Sequence, residues 1–207
     1  MGIYKNLKSA LSNPKDVTTL KLDCKKDELP FELFQFTQLE VLYLHCDKVR
    51  NLTSEFKSLI NLKTLYISGE NISQIPTEIC HLPRLKTLSL NGCQVTQFII
   101  DTKQKCYVET LLLNNNQLSE LPMGLEFLTS LKSLNLSQNE FSDFPIKLIN
   151  LRSLTKLYID QNLLKSLPIK EIKSFPNLEL LSLDRNKFST EEKEKIQTEL
   201  NYWFGDL

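Results

Sequence analysis

Several residues in this chain have the right types to do chemistry. His45-Cys46 and Cys80-His81 are imidazole–thiol pairs, the makings of a metal ligand set or of an activated thiolate. Asp160 and Asp184 are carboxylates that could hold a cation or divide acid and base roles between them. Cys24 and Cys46 could approach disulfide range or stand as two thiols. Tyr43, Tyr66 and Tyr158, with Leu112, offer contact area, and the tyrosines add a polar tip that suits an interface. Which of these groups meet depends on the elements that carry them.

Those elements are repeats. A string L-x-x-L-x-L-x-x-N-x-F-x-x-F-P opens at Leu131 and closes on Phe144-Pro145. The same string opens at Val108 and closes on Leu121-Pro122, and again runs from Leu154 to Leu167-Pro168. Its first apolar position falls at Val17, Leu39, Leu62, Leu85, Val108, Leu131, Leu154 and Leu178, in steps of 22, 23, 23, 23, 23, 23 and 24 residues. A fixed period of this length marks a stacked repeat array. The x-L-x-L-x half alternates as a short strand does, leucines inward and x residues outward. The asparagine closes the turn, and a second apolar set returns the chain. Proline in the return half has no N–H to donate, so that half is extended or turning rather than helical. One coil cannot bury its own leucines; stacked coils make a continuous core. Eight parallel strands about 4.8 Å apart span a sheet roughly 35 Å across, lining the concave side.

Stacking makes neighbours predictable, because matching positions in adjacent units lie about 5 Å apart. A central outward column runs Lys21, Tyr43, Tyr66, Ser89, Leu112, Asn135, Tyr158, Ser182, and a flanking one carries Asp23, His45, Asp160 and Asp184. Tyr43, Tyr66 and His45 therefore form an aromatic cluster. His45 lies on the concave side, whereas Cys80 and His81 lie in a return segment on the convex side, so the two pairs share no ion and form no catalytic couple. Asp160 and Asp184 sit side by side with no third group, which reads as solvated acids or a rim for a basic partner. The reading leaves open whether Cys24 and Cys46 are paired, with two reduced thiols favoured. Asn116, Asn139, Asn162 and Asn186 read as a buried amide ladder satisfying the backbone of adjacent turns. Asp47, Glu70 and Cys93 replace asparagine in earlier units, and the Leu85 unit has an irregular return over residues 99–107, tolerated variation or a contact site.

The ends differ from the repeats. Residues 3–12 read as an amphipathic helix on Ile3, Leu7, Ala10 and Leu11, stopped by Asn13-Pro14. After Phe188, Ser189-Thr190-Glu191-Glu192 is a capping box, and Ile196, Leu200, Trp203 and Phe204 share one face of the helix that follows. Both helices are expected to cover open apolar ends, with Trp203 in the core.

Composition narrows the function classes. About 40 of the 207 residues are leucine, and Lys+Arg and Asp+Glu balance at 25 each, which argues against binding phosphate backbones. No apolar run is long enough to span a membrane. The five cysteines have no CxxC spacing, against a disulfide framework or a zinc site. There is no Gly-rich phosphate loop, no HExxH and no GxSxG. The first residues lack the apolar core of a secretion signal and fail the myristoylation pattern at Asn6. Either the protein stays cytoplasmic, or a leader has been removed and it is secreted or displayed on the cell surface.

These units resemble leucine-rich-repeat proteins from Val17 to Phe188. The ends narrow the likeness. Tyr4, Leu7, Ala10, Leu11, Asn13, Pro14 and Val17 match the Y-x-x-L-x-x-A-L-x-N-P-x-x-V opening of leptospiral (spirochaete) leucine-rich-repeat proteins. Ser189, Glu191, Glu192, Lys193 and Ile196 match their S-x-E-E-K-x-x-I exit, and residues 75–82 are similar to their L-P-x-E-I-x-x-L return segment, from which Pro122-Met123-Gly124-Leu125 departs. The expected fold class is α/β: a right-handed leucine-rich-repeat solenoid, a curved horseshoe arc with a parallel concave sheet and helical caps at both ends. It is expected as one domain over 1–207, with an N-terminal cap at 1–16, eight repeats over 17–188 and a C-terminal cap at 189–207. The resemblance implies a binding module without an enzymatic centre, in a group of which several are thought to be exported and to meet host proteins. An intracellular scaffold is the alternative. The expected partner is a protein, with no nucleic acid, cofactor or metal, and the chain is expected to be a monomer. The partner-binding residues expected on the concave face are Tyr43, His45, Tyr66, Leu112, Tyr158, Asp160 and Asp184.

Overall fold

The computed structural model describes residues 2–73, 75–96, 98–101 and 103–205. Nine strands make one open sheet in chain order, every neighbouring pair parallel. They are β1 (Gly2–Tyr4), β2 (Val17–Asp23), β3 (Val41–His45), β4 (Thr64–Ser68), β5 (Thr87–Leu90), β6 (Thr110–Leu112), β7 (Ser133–Asn135), β8 (Lys156–Tyr158) and β9 (Leu180–Ser182). Register follows the repeat: Leu20, Leu42, Leu65, Leu88, Leu111, Leu134, Leu157 and Leu181 face one another in a row. Seven of the eight are fully enclosed, and Leu181 at the open end is half-buried. Each enclosed leucine contributes about 1.5–3 kcal/mol relative to exposure, and a slip of one residue would turn the whole row to solvent.

The outer wall is built of short 3₁₀ turns, at Phe31–Gln35, Ser54–Ser58, Thr77–His81, Leu125–Phe127 and Ile146–Asn150, plus the α-turn α2 (Ile169–Ile172). A proline stands just before four of the six, at Pro30, Pro76, Pro145 and Pro168, where its missing N–H costs no ladder bond. The buried residues of these turns, such as Phe56, Ile79 and Leu148, complete the core from outside. The Leu85 unit has no such turn among its described residues. There Ile99 pairs with Met123 in an isolated parallel bridge.

The amide ladder is present. The Asn139 side chain donates to the carbonyls of Leu113 (2.9 Å) and Leu136 (3.0 Å) and accepts the Leu118 N–H (3.0 Å). Asn116, Asn162 and Asn186 repeat this one coil at a time. The residue before each asparagine, namely Asn115, Gln138, Gln161 or Arg185, lies in the left-handed region, and Gly92 does the same before Cys93. In the earlier units Asp47 and Glu70 are exposed, and the interior place goes to the preceding Cys46 and Gly69. A side chain at Gly69 would collide with the Cys46 carbonyl oxygen.

Both ends depart from expectation. The N-terminal helix is short: α1 covers Leu7–Leu11, capped by the Asn6 side chain on the Ser9 N–H (2.8 Å). Residues before it are not helix but β1, because Ile3 and Tyr4 gain ladder bonds against β2. Ile3 is consequently 69% exposed. At the other end α3 (Thr190–Leu200) is capped by Ser189, whose side chain accepts the Glu192 N–H. The Glu192 carboxylate does not return to the cap but accepts the Leu167 N–H (2.8 Å), tying the helix to the last return segment. Asn201 turns left-handed and ends the helix, so Trp203 leaves the apolar face and is 77% exposed, contrary to its expected core position. Phe204 is buried in its place, against Phe188 and Tyr202.

Candidate functional site

The concave wall is built by the outward residues of β2 to β9, held on a rigid ladder. At its N-terminal end Tyr43 lies opposite Tyr66 in register. Their rings stack with centroids 4.9 Å apart and planes 5° from parallel. The Lys21 ammonium lies 4.9 Å over the Tyr43 ring. His45 is fixed from both sides, Nδ1 at 3.0 Å from the Ser68 hydroxyl and Nε2 at 3.1 Å from the Asp47 carboxylate. Tyr43, Tyr66, Lys21, His45 and Ser68, with Lys5, Asp23, Ser89 and Asn91, line an open depression of about 500 Å³. Of the seven expected contact residues, Tyr43, His45 and Tyr66 are thus brought together.

The other four are placed elsewhere on the same wall. Leu112 and Tyr158 belong to the central column, with Asn135 between them. Asp160 accepts from the hydroxyls of Ser137 (2.7 Å) and Ser182 (2.9 Å). Asp184 accepts from the Tyr202 hydroxyl (3.1 Å) and the Gly205 N–H (3.2 Å). The Tyr202 hydroxyl also accepts the Leu183 N–H, and burial pushes its pKa up to about 12, keeping it a donor to Asp184. The two carboxylates therefore bind the chain's own groups while both remain part-exposed on the wall.

The remaining reactive types stay apart. His45 ends β3 on the concave wall, while Cys80 and His81 belong to the outer turn Thr77–His81. All five cysteines are free thiols. The hydrogen bond with Cys24 and then burial raise the Cys46 thiol, burial raises Cys80, and burial holds Cys93 up at about 11. Burial also raises Cys106, whereas the same hydrogen bond with Cys46 lowers the thiol of Cys24, itself a buried residue. Among the described residues no three His, Cys, Asp or Glu side chains gather as a metal site, and no helix is long and apolar enough to cross a membrane.

The place of Lys5 on the wall and the contact of Asp47 with His45 escaped the sequence reading, where Asp47 stands only as a substitute for the ladder asparagine. Lys5 was hidden by the helical reading of the N-terminus. Ile3 outward, Tyr4 inward and Lys5 outward is a period-2 signal, but three residues are too few to outweigh the helical spacing.

A Leucine rich repeat family model matches residues 37–95 and 106–164. The chain belongs to the leucine-rich-repeat family. Such proteins generally mediate protein–protein interaction, their fold is typically a non-enzymatic binding scaffold, and no catalytic family is indicated. Among solved structures the chain is similar to a plant peptide hormone receptor, RGFR1, in complex with RGF2 (22% identity, TM-score 0.66, 89% of this chain and 31% of that one). It is also similar to an internalin, InlF, from Listeria monocytogenes (20% identity, TM-score 0.55, 83% of this chain and 56% of that one). At these identities the likeness is one of fold, and the chain spans less than two thirds of either neighbour. No curated protein matches the sequence.

Proposed function

We propose that this protein is a protein-binding module whose docking surface is the concave wall, centred on Tyr43 and Tyr66. The observation that carries it is the stacked, part-exposed tyrosine pair on a rigid sheet, beside an open depression. Two stacked rings lose little rotamer freedom on binding, and their edges and hydroxyls remain available. His45 frames the cluster, and Leu112 and Tyr158 extend the contact along the wall; Asp160 and Asp184 contribute charge at the far end while held by their own partners. The unit acts as one domain and as a monomer. Its likeness at both ends to leptospiral leucine-rich-repeat proteins supports an exported bacterial protein that meets host proteins. Five unpaired cysteines support the rival reading, an intracellular scaffold, since free thiols persist in reducing compartments.

The test is affinity capture from extracts of the source cell and of candidate hosts, with wild type beside Tyr43→Ala/Tyr66→Ala. Capture that depends on the tyrosines, with a thermal midpoint little changed, supports the docking surface. Equal capture by both proteins removes it. Fractionation of the source cell, with the gene read upstream of Met1 for a leader, separates export from scaffold.

A further inference from the structure

The strand that replaced the expected helix changes the charge of the docking wall. β1 pairs with β2 so that Ile3 faces Thr19 and Tyr4 faces Leu20. Continued by one residue past the end of β1, this register sets Lys5 on the side of Lys21, at a strand spacing of about 5 Å. Both line the depression that holds Tyr43, Tyr66 and His45. The central column then reads Lys5, Lys21, Tyr43, Tyr66: two ammonium groups leading onto two stacked rings.

Like charges opposite each other on neighbouring strands are destabilising. Among the described residues this pair has no neutralising carboxylate: none forms an ion pair with Lys5 or Lys21. The nearby acids are engaged elsewhere, Asp23 by Lys25 at 2.7 Å and Asp47 by His45 at 3.1 Å. Among the described residues Lys21 is compensated by the Tyr43 face, and an exposed cation–π contact is worth about 0.5–1 kcal/mol. Some other lysines in the repeats are treated differently. Lys63 pairs with Glu40, and Lys86 and Lys132 share Glu109. Lys156 of β8 also has no ion pair among the described residues; what sets Lys5 and Lys21 apart is that both line the depression holding the aromatic stack.

We propose that this end of the wall takes an acidic segment of the partner protein, its carboxylates seated on Lys5 and Lys21 and an adjoining apolar side chain laid on the Tyr43–Tyr66 stack. This rests on the docking reading above and gives it a partner chemistry. An overall net charge of zero supplies no general attraction for a polyanion, so recognition is local to the pocket.

The test is selection from a random-peptide display library against the full chain. The best synthetic peptide is then measured by fluorescence anisotropy against wild type, Lys5→Glu/Lys21→Glu and Tyr43→Ala/Tyr66→Ala. Wild type should enrich peptides rich in Asp and Glu with an aromatic or aliphatic neighbour. The charge-reversed variant should bind the chosen peptide about tenfold or more weakly, and 0.5 M salt should narrow that gap. Lys21→Gln, which adds no charge, should give an intermediate loss, and it stands in if the double reversal misfolds. A pool with no acidic bias, no enriched pool, or equal affinity for the charge variants overturns the proposal. Binding that is lost with the tyrosines but kept after charge reversal spares the docking surface and removes only the acidic partner. Binding kept by both variants removes both. Tight oligothymidylate binding that charge reversal abolishes, without acidic peptides, assigns the lysines to nucleic acid and likewise overturns it.

Discussion

Replacing Asn139 by alanine tests the amide ladder. The residue is 7% exposed and its side chain serves four backbone groups: it donates to the Leu113, Leu136 and Ser137 carbonyls and accepts the Leu118 N–H. Alanine leaves one N–H and three carbonyls without this partner. The carbonyls keep other donors, Asn116 on Leu113, Asn162 on Leu136 and the Asn115 N–H on Ser137, so one full deficit remains at the Leu118 N–H, for a loss of about 2 kcal/mol. With a urea slope of about 2.5 kcal/mol per molar for a chain of this size, the midpoint should fall by about 0.8 M. Equilibrium urea unfolding followed by far-ultraviolet circular dichroism measures it. Asn114→Ala is the control, because the Asn114 amide reaches only the Asn91 side chain at the surface; its shift should stay within about 0.5 kcal/mol. Asn139→Asp should be worse than alanine at neutral pH, since a carboxylate would face three carbonyl oxygens, and should recover partly in acid. If Asn139→Ala loses less than about 1 kcal/mol, or no more than the control, the ladder is not a source of stability and the reasoning fails.

Other outcomes follow from the same contacts. Gly69→Ala should cost more than about 2 kcal/mol by thermal or urea melting, because its Cβ meets the Cys46 backbone rather than a movable side chain; a neutral result would contradict the close approach. Glu109 is held down at about pH 2 by hydrogen bonds from Lys132 and Lys86. Its folded pKa is depressed, so its contribution is present above about pH 4.5 and lost as pH falls toward about 2. Glu109→Gln should therefore lower the melting temperature modestly at pH 7, since the pair is solvent-screened, with the gap closing in acid and in 1 M salt; a pH-independent gap would sink this. Iodoacetamide at pH 8 should leave Cys46, Cys80 and Cys93 unmodified in the folded protein and label them after denaturation, as mass spectrometry would show. Trp203→Ser should change stability by no more than about 0.5 kcal/mol, given its exposure.

Much of the fold was legible because one period carries it. Leucines at fixed spacing have a single arrangement that hides them all, so strand register, the Leu20 to Leu181 row and the Asn116 to Asn186 ladder could be read before any coordinate. The same spacing brought Tyr43, Tyr66 and His45 together, since parallel coils set equal positions side by side. The left-handed residues before each ladder asparagine went unread, because Gln138, Gln161 and Arg185 carry no glycine signal. There the burial of the following amide compels the backbone, and propensity does not decide.

The ends lay beyond such reading because they belong to no period. Residues 2–4 satisfy a helix pattern and a strand pattern equally well in isolation; the free edge of β2 resolves the tie by offering ladder bonds to a strand. Trp203 shares a helical face with Ile196 only if the helix persists, and Asn201 ends it because Tyr202 finds Leu183 and Asp184 to bond. Sequence alone determined what repeats, for repetition is local and additive. Tertiary structure decided what happens once: the strand that sets Lys5 beside Lys21, and the tail that occupies Asp184. Each depends on an unpaired edge or a buried polar group that exists only after the coils have stacked.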